Sequence, residues 1–180
     1  MSMRLAIDSL IALGLVGVLG LVLADYRATA RKLEEERQVH LALSRLAEQA
    51  RYHGALEQPG ECGPVFPATI SPAWFKNGLP LNAVALGHPW LDVAPAGDGA
   101  DDPPDPVLHS RAQAGFWYNP SRGVVRARVP GQGEPGAALD LYNQLNNSGL
   151  KELAESAAVA RRPVPWARNE ALRERVESRP

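Results

Sequence analysis

The stretch Leu5 to Ala24, LAIDSLIALGLVGVLGLVLA, decides how the rest of the chain is read. Twenty residues at helical rise cover about 30 Å, the thickness of a bilayer core. The stretch carries one charge, Asp8, within its first turn. A secretory signal peptide is the rival reading, but apolar signal regions run about 7–15 residues and end at a small-residue cleavage site. Here the chain continues into Asp25-Tyr26-Arg27 without Pro or Gly, so the stretch is read as an uncleaved transmembrane helix over residues 5–24, preceded by a short leader, residues 1–4. Asp8 has two readings: solvation at the interface, or pairing with a positive group on a neighbouring chain. Gly14, Gly17 and Gly20 recur every three residues. Small residues let membrane helices approach closely, although Gly is also common in such helices generally.

Working outward, residues 25–53 lack Pro and Gly and are rich in Ala, Leu, Glu, Arg and Gln, all strong helix formers. Val39, Leu43, Leu46 and Ala50 fall at helical spacing, which makes this extension amphipathic. One helix is therefore predicted from about Leu5 to about Tyr52, with Gly54 as its stop. The charged run Arg31 to Arg37 reads as a solvated face with internal ion pairs. The apolar repeat covers too few heptads for a coiled coil.

Residues 54–145 form the expected globular part. From Gln58 to Pro106 Pro and Gly recur too often for regular elements of ordinary length, yet Phe66, Ile70, Trp74, Phe75, Trp90 and Leu91 mark an ordered loop packed on the helix. Gly97 to Pro106, GDGADDPPDP, reads as an exposed mobile loop or as a calcium site built from Asp98, Asp101, Asp102 and Asp105. Its spacing does not match an EF-hand loop. Next, Gly115-Phe116-Trp117-Tyr118, the turn Asn119-Pro120-Ser121-Arg122-Gly123 and Val124 to Val129 predict a β-hairpin with a left-handed glycine. Val125, Ala127 and Val129 alternate with Arg126 and Arg128, the pattern of a sheet covered on one side with a solvated arginine face. Ala137 to Leu145 reads as a last strand or a helical turn. Residues 146–180 read as a helical or flexible appendage, with Trp166 as its possible anchor for a partner.

The averages fit these parts. The chain has 180 residues, 19 Lys and Arg, 20 Asp and Glu, a net charge of -1 and one Cys. Near-neutral charge argues against nucleic acid as a partner. A single cysteine, Cys62, excludes an internal disulfide and a multi-cysteine zinc site. The mean hydropathy of -0.21 blends one strongly apolar segment with a polar remainder. No nucleophile elbow, zinc-protease helix, phosphate loop or dinucleotide fingerprint occurs, so neither catalysis nor a cofactor is expected. His40, His53, His88 and His109 show no ligand spacing, and convergence of His53, Cys62 and His88 on a metal is not required by the sequence.

With these residues in view, the chain resembles type IV pilins and the pseudopilins of type II secretion. Ile7-Asp8 and Gly17-Val18-Leu19 match the spacing of that family's glutamate and glycine, with Asp in place of Glu. GFWYNPSRGVVRARVP, residues 115–130, is similar to the hairpin of smaller pilin-like proteins, the match resting on Trp117, Tyr118, Asn119, Pro120 and Gly123. Ile70 to Val84 resembles the loop before their sheet. Met3-Arg4 stands where pilin precursors carry Gly before a Phe.

The resemblance implies an α+β fold with a long N-terminal helix on a small antiparallel sheet. It also implies a non-catalytic subunit held in the inner membrane by a single span, with a short cytoplasmic N-terminus and a periplasmic domain. Its implied partners are the membrane, like or unlike pilin-like subunits, and a secretion or pilus assembly platform. Asp8, Gly14 and Gly17 would then serve assembly. Charge alone points weakly the other way, because Arg27, Arg31, Lys32 and Arg37 follow the span while only Arg4 precedes it.

Overall fold

A computed structural model describes residues 3–57, 66–131 and 135–153. The chain divides into two compact units, Met1–Arg37 and Gln38–Pro180. Helix α1 runs Met3–Glu57, so it supplies all of the described first unit and opens the second.

In the second unit α1 buries Val39, Ala42, Leu46 and Ala50, each at most 5 % exposed, and Leu43 packs beside them. This is the stripe that the spacing predicts. The helix does not stop at Gly54. That residue lies four positions after Ala50, is itself buried, and continues the same stripe, so packing outweighs the weak helix propensity of glycine.

The next described stretch holds two short 3-10 turns, Pro72–Trp74 capped by Ser71 and Ala83–Ala85 capped by Asn82. Three strands make the main sheet: β1 Leu91–Val93, β3 Phe116–Asn119 and β4 Val124–Ala127, in the order β1-β3-β4. A second ribbon pairs β2 Val107–Leu108 with β5 Val129–Pro130. Helix α2, Pro135–Asn146, follows.

The expected hairpin is β3 and β4, with Trp117 opposite Arg126 and Tyr118 opposite Val125. The Asn119 side chain accepts from the Ser121 amide at 2.9 Å and shapes the turn. Gly123 closes it at φ 63°, and a Cβ there would run into the Phe66 ring. Two separate constraints, left-handed backbone and lack of space, therefore reserve this position for glycine.

The sheet is mixed, not antiparallel. β1 joins β3 in parallel, with Leu91 opposite Phe116 and Val93 opposite Tyr118, and β2 and β5 are also parallel. Local patterning specifies a hairpin because its two strands are neighbours in sequence. β1 is three residues drawn from a stretch bounded by Pro89 and Pro95, and long-range pairing alone makes it a strand.

Phe116, Tyr118, Val125, Ala127 and Val129 join the helix stripe and Ile70 in the core. α2 closes it with Ala138, Tyr142 and Leu145, at most 2 % exposed and spaced four and three apart. Ala137 to Leu145 therefore belongs to a full helix. It ends at Asn147, at φ 48°, with the Ser148 amide donating to the Asn143 carbonyl at 3.1 Å. Beyond it Leu150 and Leu153 pack on the core. Ala157, Ala160, Trp166 and the rest of the expected appendage lie outside the described residues, as does Cys62.

Candidate functional site

Two regions carry the residues singled out by sequence. The first is the apolar part of α1. Among its described side chains Leu13, Leu15, Val16, Val18, Leu19, Leu21 and Val22 are each at least 59 % exposed. Added Cβ atoms on Gly14, Gly17 and Gly20 would meet nothing within 4 Å. Contiguous exposed apolar surface on this scale marks contact with a membrane or a partner. This is the one segment among the described residues long and apolar enough to cross a membrane, a property that signal sequences near an N-terminus share. Asp8 lies on the helix within residues 4–12, whose side chains are outside the described set.

The second region is the face of the sheet opposite the α1 stripe. Trp117, 2 % exposed, points there and packs on Ala94 and Ala100. The chain from Ala94 to Pro106 crosses this face, so the sheet is covered on both sides, where alternation alone predicted one. The Asn119 amide donates to the carbonyls of Asp98 at 3.1 Å and Ala100 at 2.7 Å, tying the crossing segment to the hairpin.

The arginine alternation has a physical purpose other than solvation. Arg126 pairs with Asp102 at 3.0 Å, their side chains only 22 % and 15 % exposed. Arg122 makes a two-pronged pair with Asp101, at 2.9 and 3.2 Å, and that carboxylate raises the arginine's pKa by hydrogen bonding and charge. Arg128 is 3 % exposed. It donates to the Asp105 carbonyl at 2.9 Å, the Ala114 carbonyl at 3.2 Å and the Asp92 carboxylate at 3.0 Å. A buried guanidinium needs this many acceptors to offset lost hydration.

Tyr142 completes the cluster by donating to Asp102 at 2.7 Å. Burial pushes its phenol far above the ordinary tyrosine range. The neighbouring Asp102 charge and hydrogen bond push the same way, while Arg126 and Arg128 oppose them. The phenol stays protonated and serves as a fixed donor.

This geometry corrects the reading of Gly97 to Pro106 as an exposed loop. The segment is packed on the sheet: Ala100 and Pro103 are fully buried, Pro106 is buried, Asp98, Asp101 and Asp102 are partly buried, and Pro104 and Asp105 are exposed. Its aspartates make contacts within the chain. Asp101 and Asp102 face arginines, Asp98 accepts from the Ala100 amide at 2.9 Å, and Asp105 contributes its carbonyl to Arg128. Among the described residues no three His, Cys, Asp or Glu side chains converge on a possible ion. His53 stacks on Trp74 at 3.7 Å between centroids, while the His88 ring meets the Gln113 carbonyl.

Asp92 and Tyr142 were missed by sequence reasoning. The available signal was charge balance, because three arginines in one hairpin stand within about thirty residues of an equally dense acidic run. Asn82 and Asn146 were missed too. Asn82 donates to the Gly115 and Arg128 carbonyls, both at 2.8 Å. Asn146 accepts from the Ala127 amide at 2.7 Å and donates to its carbonyl at 2.9 Å, capping the β4 edge as a further strand would.

These observations define the class: an α+β protein with a membrane-compatible helix and a small mixed sheet held by buried arginine and asparagine contacts. Comparison with protein-family models, curated proteins and solved structures finds no match.

Proposed function

We propose that the chain is a membrane-anchored, pilin-like subunit of a type II secretion or type IV pilus-like envelope assembly, working by association and not by catalysis. The observation that carries the proposal is α1. Its early described residues expose leucine and valine, and its later residues bury a stripe beneath a hairpin whose Tyr-Asn-Pro turn and closing glycine resemble those of pilin-like proteins. In this reading the helix sits in the inner membrane, with a short cytoplasmic N-terminus and the sheet domain in the periplasm. Gly14 and Gly17 admit a neighbouring helix, and Asp8 sets register or pairs charge with a neighbouring chain. The partners are like or unlike pilin-like subunits and the assembly platform.

A second reading draws on Met3-Arg4 and Asp8, which depart from the pilin pattern. It is a single-span periplasmic scaffold or accessory protein that forms no filament. A topology reporter fused after Pro180 tests the shared part: activity in the periplasm is expected, and a cytoplasmic signal overturns both readings. N-terminal sequencing of protein purified from membranes separates them. A processed, methylated N-terminus belongs to the filament subunit and an intact one to the accessory protein.

A further inference from the structure

The first unit of α1 is zoned by charge along its axis. Residues 9–24 carry no charge. Asp25 and then Arg27, Arg31 and Lys32 follow, all exposed. Glu34, Glu35 and Glu36 come next, and Arg37 turns onto Glu34 through two 3.0 Å hydrogen bonds. We propose that Arg27, Arg31 and Lys32 form a collar that binds the acidic phospholipid headgroups of the bilayer that the helix crosses. The collar rests on the membrane-span reading and adds to it a lipid class.

Distance supports this assignment. At helical rise the three cations lie about 4 to 12 Å beyond Ala24. The headgroup layer adds about 5–8 Å to each side of the hydrocarbon core. Side chains on a helix tilt toward its N-terminus, here toward the membrane, and long basic side chains extend to reach an interface. The collar therefore falls at headgroup depth, while the glutamates start about 15 Å beyond Ala24.

Carboxylates on the same helix compete for these cations in part, through pairs three and four residues apart. Glu34 is held by Arg37. Arg31 with Glu35 and Lys32 with Glu36 are ordered base before acid, the weaker orientation for pairs four residues apart. Asp25 lies nearly opposite Arg27 around the helix, two turns before Lys32, and lowers the gain without cancelling it. Each cation near an anionic membrane surface is worth up to about fivefold in association, and the neighbouring carboxylates cut the combined preference to about five- to tenfold.

The test places the full chain in phosphatidylcholine bilayers containing a trace of spin-labelled phosphatidylglycerol or spin-labelled phosphatidylcholine. Electron paramagnetic resonance then measures the motionally restricted lipid at the protein. At low salt, phosphatidylglycerol should be preferred by about five- to tenfold. The preference should fall to no more than about twofold in the variant Arg27→Gln/Arg31→Gln/Lys32→Gln. It should persist when three exposed cations of the other unit are removed as Lys76→Gln/Arg111→Gln/Lys151→Gln. Restricted lipid without a preference overturns the collar alone, as does a preference that survives the collar variant or disappears equally in the control. No restricted component with either lipid overturns the span reading beneath it.

Discussion

The chain keeps leucines outside and an arginine inside, and these two regions follow one rule from opposite directions. Leu13 is 76 % exposed and Leu15 67 % exposed. Arg128 is 3 % exposed with three acceptors around it. Burial follows the partner available to each group and not residue type alone. The arginine finds its acceptors within the chain. The leucines remain exposed among the described residues.

The comparison breaks most readily at Arg128. Arg128→Ala leaves the carbonyls of Asp105 and Ala114 without a donor and opens a void, at an expected cost of about 3–4 kcal/mol. Thermal unfolding of the full chain in mild detergent, followed by near-ultraviolet circular dichroism, measures this. A loss below about 1 kcal/mol would return Arg128 to the status of a solvated surface residue.

Leu15→Arg tests the other region. A cation near the middle of a spanning helix costs about 2.5–3.5 kcal/mol on insertion scales. Carbonate extraction should show the variant shifting from the membrane fraction to the soluble fraction, with the melting transition of the sheet unit unchanged. Full retention in the membrane would contradict a span over residues 5–24.

A smaller effect is expected for Tyr142→Phe, which removes the donor to Asp102 at about 1–1.5 kcal/mol near neutral pH. The pH dependence has a definite sign. Because the folded phenol ionises far above its unfolded value, its contribution is fully present below about pH 10 and is lost as pH rises beyond it. The native chain should lose stability on that alkaline limb, and Tyr142→Phe should lose it less steeply. Identical slopes would remove Tyr142 from the cluster's energetics.

The smallest effect belongs to Asp101→Asn. Arg122 and Asp101 have side chains 46 % and 50 % exposed, so the pair is screened by water and its loss should cost within about 1 kcal/mol. Added salt should shrink the difference further. Set beside Arg128, this pair shows how much of the cost comes from desolvation.

Legibility followed the range of the interaction. The stripe of Val39, Leu43, Leu46 and Ala50 was visible because helix periodicity is local. The turn from Asn119 to Gly123 was visible because its residues supply their own geometry: an amide-accepting side chain at one end and φ 63° at the other. β1 was hidden, since Leu-Asp-Val between two prolines becomes a strand only beside Phe116 to Tyr118. The arginine face was misread for a related reason. Alternation shows which side chains share a face, but what covers that face depends on a segment about twenty to thirty residues away.

The sequence by itself determined the apolar segment, the helical stripe and the hairpin, because period and turn chemistry act over a few residues. Only the tertiary structure decided that the sheet is mixed, that Ala137 to Leu145 lies within a helix, and that Asp101 and Asp102 meet arginines. Those outcomes depend on which distant groups come close enough to exclude water. Once water is excluded, a guanidinium requires acceptors, and the segment carrying Asp92, Asp102 and the Asp105 carbonyl supplies them.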